Sequence, residues 1–154
     1  MSRNWIIILA VVLAVLVIIQ FFQPKKNTAK ENLKSDIVYH MTIPANVKKK
    51  IVNACYDCHS NTTHYPFYSR VAPVSWLMAN HISRGKSKLN FTLWADYAKK
   101  DQVKLLDEIC EVLTEKEMPI RGYVFMHRKA RFNEREIADV CAWAEQAAEE
   151  ALAE

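Results

Sequence analysis

The stretch that decides the fold is Asn53–Tyr65, NACYDCHSNTTHY. It holds two cysteines three positions apart, Cys55 and Cys58, and His59 follows the second one directly. Apolar residues recur at helical spacing from Pro44 up to the motif, so the two thiols fall near the end of a predicted helix. Thiols at positions i and i+3 lie on one side of a helical turn. The question is whether they form a disulfide, bind a metal or hold a covalent cofactor.

The pattern C-x-x-C-H is the attachment site of c-type haem, and the reason is geometric. Two thiols on one side of a turn can form thioethers with the two vinyl groups on one porphyrin edge. The adjacent imidazole then reaches the iron from one face. Cys55, Cys58 and His59 are therefore predicted to hold one covalent haem c, with His59 as the proximal iron ligand.

The motif has three other possible interpretations. A redox dithiol of the thioredoxin kind needs a strand before the motif and a helix after it, whereas here a helical pattern precedes Cys55 and an irregular segment follows His59. A zinc site would add ligands such as His64, Cys110 or Cys141, but no second pair has finger or ribbon spacing. The third interpretation is chance, with two buried thiols and an exposed histidine. The helical context favours haem over all three.

An electron carrier with low-spin iron needs a ligand on the other face. Met118 is preferred because Pro119 follows it in an irregular segment and would stiffen the backbone there. A core methionine filling a gap is an equally open interpretation. His81 is the second candidate, although a buried, hydrogen-bonded histidine is the commoner reason for its position on an apolar helix face. Weaker candidates are His40, His64, Met78, Met126 and His127.

The segment Trp5–Phe22, WIIILAVVLAVLVIIQFF, carries no charge. As a helix it would be about 27 Å long, close to the thickness of a bilayer's hydrocarbon core. No small-residue cleavage site follows it, so residues 1–24 are predicted to be an uncleaved membrane anchor rather than a removed signal peptide. The lysines that follow would place the domain in the cytoplasm by the positive-inside rule. The haem prediction outweighs them, because haem c is attached outside the bacterial inner membrane, and it places the domain on the periplasmic side.

Residues 25–43 are predicted to be a polar tether and residues 44–154 a single cytochrome c-like domain. Two glycines and no sustained alternation of apolar and polar residues indicate an all-α domain of four moderate helices. Gly85 is expected to end the second helix, and residues 119–132 are expected to be a basic loop. The net charge of +4 is too small to argue for a nucleic-acid partner.

The last helix is predicted to begin at Asn133, since Glu136 three positions later makes a capping box. Cys110 and Cys141 occupy core-facing positions on the last two long helices. In an oxidising compartment they would form a disulfide, and otherwise they would be two small buried residues. The sequence leaves both possibilities open.

The run from CYDCHSNTTHYPFYSR to EMPIRGYVFMHRKARF resembles the haem-binding domain family of small membrane-anchored bacterial c-type cytochromes. The similarity covers about Asp36 to Glu145. The positions that carry it, besides the haem motif, are Ser60-Asn61, Tyr65-Pro66, Pro73, Trp76, His81, Gly85, Leu89-Asn90-Phe91, Trp94, Met118-Pro119, Tyr123 and His127. The resemblance implies a helical domain around one haem, with Cys55, Cys58 and His59 attaching it and Met118 at the distal position.

The function expected is single-electron transfer between respiratory or periplasmic partners, without catalysis. The alternatives are a thiol–disulfide oxidoreductase using the two motif cysteines, or a five-coordinate haem sensor or peroxidase. Asn90, Tyr68 and Trp94 are candidates for the surroundings of the haem propionates. A carrier's electron donor and acceptor are not determined by its fold.

Overall fold

The computed structural model describes residues 2–29 and 34–153; Met1, residues 30–33 and Glu154 lie outside the described residues. The α-helices are α1 Arg3–Ile18, α2 Ile37–His40, α3 Ala45–Ala54, α4 Tyr56–His59, α5 Val74–Lys88, α6 Lys99–Thr114, α7 Arg121–Met126 and α8 Glu134–Ala153. Short 3₁₀ turns are Ile19–Phe21, Phe67–Arg70, Phe91–Asp96 and Arg128–Ala130. The described ranges contain no strand, only an isolated bridge between Thr28 and Thr62. The predicted all-α fold is confirmed.

The apolar helix α1 and the turn after it are long and apolar enough to cross a membrane. The span Arg3–Phe21 has a mean hydropathy of 2.7. None of its residues is buried against any other described part of the chain. It is therefore not the core helix of a soluble domain, which leaves a membrane anchor or a signal sequence as the origin of its composition.

The end of this apolar segment is hydrogen-bonded to the start of α5. The side-chain oxygen of Gln20 accepts from the Ala72 backbone N–H at 2.9 Å, and its amide nitrogen donates to the Ala72 carbonyl at 3.2 Å. The indole N–H of Trp76 donates to the Phe22 carbonyl at 2.6 Å. The apolar segment therefore meets the domain at a defined point.

The stretch expected to be a tether, residues 25–43, contacts the domain in both of its described parts. The side-chain amide of Asn27 donates to the Ser60 carbonyl at 2.8 Å, and its oxygen accepts from Lys86 Nζ at 2.7 Å. Ile37, at the start of α2, is completely buried in the core. Apolar burial and paired amide groups hold both described parts in place. Residues 30–33 of this stretch lie outside the described residues.

The core is centred on the pair α6 and α8, which form the largest helix–helix interface. Leu106, Ile109 and Leu113 of α6 are buried there. The facing side of α8 is rich in alanine, and small side chains let two helices approach closely. The facing buried residues of α8 are Val140, Trp143, Ala144, Ala147 and Ala148.

A disulfide joins Cys110 of α6 to Cys141 of α8, with their Cα atoms 4.9 Å apart. That separation lies within the usual range for a disulfide. Of the two possibilities that the sequence leaves open for Cys110 and Cys141, the structure has the disulfide, and it links the two main helices.

The start of α8 confirms the predicted capping box. Glu136 N donates to Asn133 Oδ1, and Asn133 N donates to Glu136 Oε2, both at 2.9 Å. The Glu136 carboxylate also forms an ion pair with Lys50 Nζ of α3 at 2.9 Å. This pair lowers the pKa of Glu136. The capping group therefore also joins α8 to α3.

Three local predictions were wrong. The helix from Pro44 does not continue through the motif, since its helical dihedrals break at Cys55, where φ is −120°. Gly85 does not end α5, which continues to Lys88. Residues 119–132 are not simply a loop, because they contain α7 and a 3₁₀ turn. Each difference brings backbone or side chains up to the haem motif.

The second difference has a direct steric reason. A Cβ added at Gly85 would lie 2.6 Å from the carbonyl oxygen of Cys58 and 3.2 Å from the Cys58 Cβ. A glycine in the last turn of α5 therefore lets this helix press against the backbone of the C-x-x-C-H motif.

Candidate functional site

The C-x-x-C-H motif lies where α3 ends and α4 begins. Backbone N–H groups of Cys58 and His59 both donate to the Cys55 carbonyl, at 3.1 and 2.9 Å. This tight turn brings the three motif side chains to one place. Of the chain's four cysteines, Cys55 and Cys58 are the two outside the disulfide, and both are partly exposed.

Two adjoining cavities, of about 480 and 430 Å³, border the motif. Each falls within the size range of small-molecule sites, roughly 300–1,000 Å³. Cys55 lines the first cavity and Cys58 the second, whereas His59 lines both. The other residues that line both cavities are Ala54, Lys88, Met118 and Pro119. The two motif cysteines thus line different cavities, while His59 and Met118 line both.

The two cavities differ in their walls. The first is bounded by core side chains, which are Ile51, Leu105, Ile109, Leu113 and Val140. Glutamates also line it, namely Glu108, Glu111, Glu115 and Glu117. The second is lined by His81, Arg84 and Tyr123 instead. An apolar planar group would find its driest contacts in the first cavity and cationic partners in the second.

The imidazole of His59 is fixed in an orientation that suits metal binding. Its Nδ1 lies 3.1 Å from the Leu89 carbonyl oxygen. Because a carbonyl oxygen can only accept, Nδ1 carries the proton and Nε2 keeps its lone pair. Burial lowers the pKa of His59, although the backbone carbonyls of Leu89 and Gly85 oppose this. A neutral imidazole oriented through its second nitrogen is the usual form of a histidine metal ligand.

The two motif thiols are set for a different chemistry from that of a redox dithiol. Burial raises the pKa of Cys55 to about 12 and that of Cys58 to about 11. Redox-active cysteines have lowered pKa values that expose a thiolate at neutral pH. Both groups here are protonated thiols at pH 7.

Met118 follows α6 in a segment pinned to that helix. Backbone N–H groups of Glu117 and Met118 both donate to the Val112 carbonyl, at 3.0 and 3.1 Å. The Met118 side chain is 40% exposed and lines both cavities. A methionine that fills a gap in the core would be buried, so its position fits a site residue better.

The other candidate ligands are placed less favourably. His81 is half-buried and lines the second cavity alone. Both ring nitrogens of His127 contact protein atoms, with Nδ1 3.1 Å from the Tyr123 carbonyl and Nε2 3.1 Å from Tyr68 Oη. His40, His64, Met78 and Met126 are not among the described residues lining either cavity.

A zinc site finds no support in the described ranges. They contain no group of three or more histidine, cysteine, aspartate or glutamate side chains placed to hold a metal ion. Cys110 and Cys141, which a zinc site would have needed, are joined to each other.

The residues expected around the propionates lie elsewhere. Neither cavity is lined by Asn90, Tyr68 or Trp94 within the described structure. Asn90 is buried and donates to Asn61 Oδ1 at 2.9 Å, Tyr68 contacts His127, and Trp94 is a core residue. The indole N–H of Trp94 is buried without a partner among the described atoms.

Sequence reasoning missed Arg84 and Lys88 at the second cavity. His81, Arg84 and Lys88 recur at intervals of three and four along α5 and so share one helix face. This spacing could have indicated a cationic helix face beside the motif, since α5 approaches the motif at Gly85.

The two residues between the motif cysteines also do more than fit a turn. The Tyr56 hydroxyl donates to Asp36 Oδ1 at 2.6 Å, and the Tyr56 ring stacks on Phe91. Asp57 Oδ2 accepts from the Tyr123 hydroxyl at 2.7 Å. These contacts hold the motif from both sides, and no short-range sequence pattern reveals them.

A comparison with known proteins indicates the family of the chain. Searches of curated proteins and of solved structures found no match to the chain. The family model described as "Haem-binding domain" matches residues 14–146, which include the motif, both cavities and most of α8. On this match over most of its length, the chain belongs to the haem-binding domain family.

Proposed function

We propose that this protein is a membrane-anchored c-type cytochrome with one covalent haem, which passes single electrons between protein partners and catalyses no reaction of its own. The observation that carries the proposal is the placement of the motif. Cys55 lines one of two adjoining cavities and Cys58 the other, and His59 and Met118 both line each of them.

The side chains that would hold the haem are Cys55 and Cys58 through thioethers, His59 through Nε2, and Met118 through its sulfur. When bound, the haem supplies one-electron chemistry at iron, and a methionine opposite a histidine raises the reduction potential. Leu89 keeps the proton on His59 Nδ1, so that Nε2 remains free to ligate.

The rest of the pocket shields and orients the group. Core side chains of α3, α6 and α8 line one side of the first cavity and would keep water from the part of a haem packed against them. Arg84 and Lys88 supply positive charge at the second cavity, where carboxylate groups of a haem would be stabilised by ion pairing.

Two alternatives are weaker on specific observations. A thiol–disulfide enzyme needs an accessible thiolate, but burial raises the pKa of both motif thiols. A five-coordinate sensor or peroxidase needs an open position opposite His59, and Met118 lines both cavities that His59 lines. Both observations favour the six-coordinate carrier.

The cell compartment is part of the proposal. A structural disulfide between Cys110 and Cys141 fits an oxidising environment, as outside the bacterial inner membrane. The unburied apolar helix α1 fits a single-pass anchor. Together they favour a domain on the periplasmic side, despite the lysines downstream of the anchor.

Spectroscopy of ligand variants tests the carrier directly. The full chain is expressed with haem-maturation machinery, and the ferric protein is examined for the near-infrared band of methionine–iron ligation. We expect Met118→Ala to abolish the band and His81→Ala, the matched control, to keep it. An unchanged band in Met118→Ala would contradict the ligand assignment, and the absence of a band in the parent would favour the sensor.

A further inference from the structure

We propose that the haem-binding domain lies on the lipid surface through an apolar patch beside the anchor, formed by Phe67, Val71, Val74 and Leu77. This inference rests on the membrane anchoring in the proposed function. It adds that the domain is held against the bilayer at a fixed face.

The level of the membrane surface is set by the contact between Gln20 and Ala72. If α1 spans the hydrocarbon core, Gln20 and the two phenylalanines after it lie where that core ends. The Gln20 side chain is hydrogen-bonded to both backbone polar groups of Ala72. The neighbours of Ala72 in the chain are therefore at the same depth.

Those neighbours are unusually apolar and exposed. Phe67 is 83% exposed, Val71 52%, Val74 39% and Leu77 55%. Val74 and Leu77 lie one turn apart on α5, on a side that the buried Ser75 and Ile82 do not occupy. Contiguous exposed apolar side chains on a soluble domain mark a surface with a partner.

The anchor itself continues this patch. Phe21 and Phe22 are largely exposed, and the Phe22 carbonyl accepts from the Trp76 indole on the same helix as Val74 and Leu77. Aromatic rings and amphipathic tryptophans concentrate at the boundary between lipid tails and headgroups. The apolar patch is thus continuous with the segment that enters the bilayer.

The charges around the patch suit phospholipid headgroups. Arg70 lies between Phe67 and Val71, and Lys25 follows Phe22 by three residues; both are exposed cations. Cations at this depth are attracted to anionic headgroup phosphates. A protein partner would also bury apolar side chains, but it would have to occupy the space in which the bilayer begins.

The consequence is a domain with restricted motion. With the patch buried in the interface, the domain would keep one orientation instead of swinging on a flexible stalk. The haem cavities would then present a constant face to partners that move in the plane of the membrane.

Photolabelling of the full-length protein tests the patch. The chain is reconstituted into vesicles of phosphatidylcholine and phosphatidylglycerol containing a phospholipid with a photoreactive group near the top of its acyl chain. After illumination and trypsin digestion, lipid adducts are measured on three peptides: residues 4–25 from the anchor, residues 71–84 from the patch and residues 122–128 from α7. The last is the matched control, since its Phe125 is also 83% exposed.

We expect adducts on residues 71–84 to exceed those on residues 122–128 by at least about fivefold, because buried apolar area determines interfacial contact. The double variant Val71→Gln/Leu77→Gln should lose most of this labelling, while Phe125→Gln should not. Labelling of residues 4–25 should be the same in every variant.

The possible outcomes distinguish a failure of the patch proposal from a failure of the membrane anchor. Adducts on residues 4–25 without adducts on residues 71–84 would overturn the lipid-bound domain and leave the anchor standing. Equal labelling of residues 71–84 and 122–128, or unchanged labelling in the double variant, would also overturn it. Absence of adducts on both residues 4–25 and 71–84 would overturn the anchor and this proposal together.

Discussion

Replacing Gly85 with alanine should destabilise the domain, although alanine is the better helix former. Gly85 lies inside α5, where the backbone of α4 passes directly over it. The added Cβ would meet the Cys58 carbonyl oxygen at 2.6 Å and the Cys58 carbonyl carbon at 3.2 Å. The first distance is well inside normal van der Waals contact, so one of the two helices must move.

Two opposing effects set the magnitude. Alanine in a helix interior is favoured over glycine by about 1 kcal/mol. Forcing an extra carbon into a packed site costs about 1–3 kcal/mol, and the upper end applies here because the neighbour is backbone rather than a flexible side chain. The expected net loss is about 2 kcal/mol. At about 2–4 °C per kcal/mol for a chain of this size, Tm should fall by about 4–8 °C.

The assay is thermal unfolding of the full chain in detergent, followed by circular dichroism. Gly122→Ala is the control, because no described atom lies within 4 Å of the added carbon at that position. It should be neutral or stabilising by up to about 1 kcal/mol. The steric argument fails if Gly85→Ala unfolds within about 0.5 kcal/mol of the parent, or if both variants lose the same amount.

Three further changes have defined outcomes. Replacing Cys110 and Cys141 together with serine should lower the free energy of unfolding in urea by about 2–4 kcal/mol. Haem attachment should persist, since the disulfide lies outside both cavities. Loss of the covalent haem in this variant would contradict the conclusion that the disulfide cysteines and the motif cysteines act independently. The ion pair with Lys50 lowers the pKa of Glu136, so its contribution to stability is complete above the ordinary pKa of 4.5 and is lost as the pH falls through the lowered pKa. In Glu136→Gln the free energy of unfolding should therefore depend less on pH on the acid side. An unaltered dependence would argue against the ion pair. Tyr123→Phe removes the hydrogen bond to the Asp57 carboxylate and should cost about 1.5–3 kcal/mol in urea unfolding. The cost should shrink when Asp57 is already alanine, because the hydroxyl then has only the Asn53 carbonyl as acceptor among the described atoms; an unchanged cost would argue against the bond to Asp57.

The features predictable from sequence are those written in short-range patterns. The motif, the periodicity of the helices and the capping box at Asn133 and Glu136 each depend on residues within a few positions of one another. The structure bears out the helical class and the cap for that reason. The core-facing placement of Cys110 and Cys141 was visible as well, but their bonding depended on a distance between two helices.

The features that were missed depend on contacts between distant segments. Gly85 looked like a helix terminator because its packing against Cys58, 27 positions earlier, leaves no trace in the local sequence. The contacts of Asn27, within the predicted tether, could not be foreseen either, because its partners Ser60 and Lys86 are far along the chain. Asn90, Tyr68 and Trp94 were propionate candidates because of their residue types. The second cavity is lined instead by the face of α5 that approaches the motif at Gly85.

The central claim is that haem is joined to this chain through Cys55 and Cys58. Intact-mass spectrometry of the denatured full-length protein, produced with haem-maturation machinery, tests it most directly. The account predicts a mass increased by one haem that survives denaturation, and no such increase in Cys55→Ala/Cys58→Ala. A parent protein of unmodified mass, or a haem adduct that persists in the double variant, would contradict it.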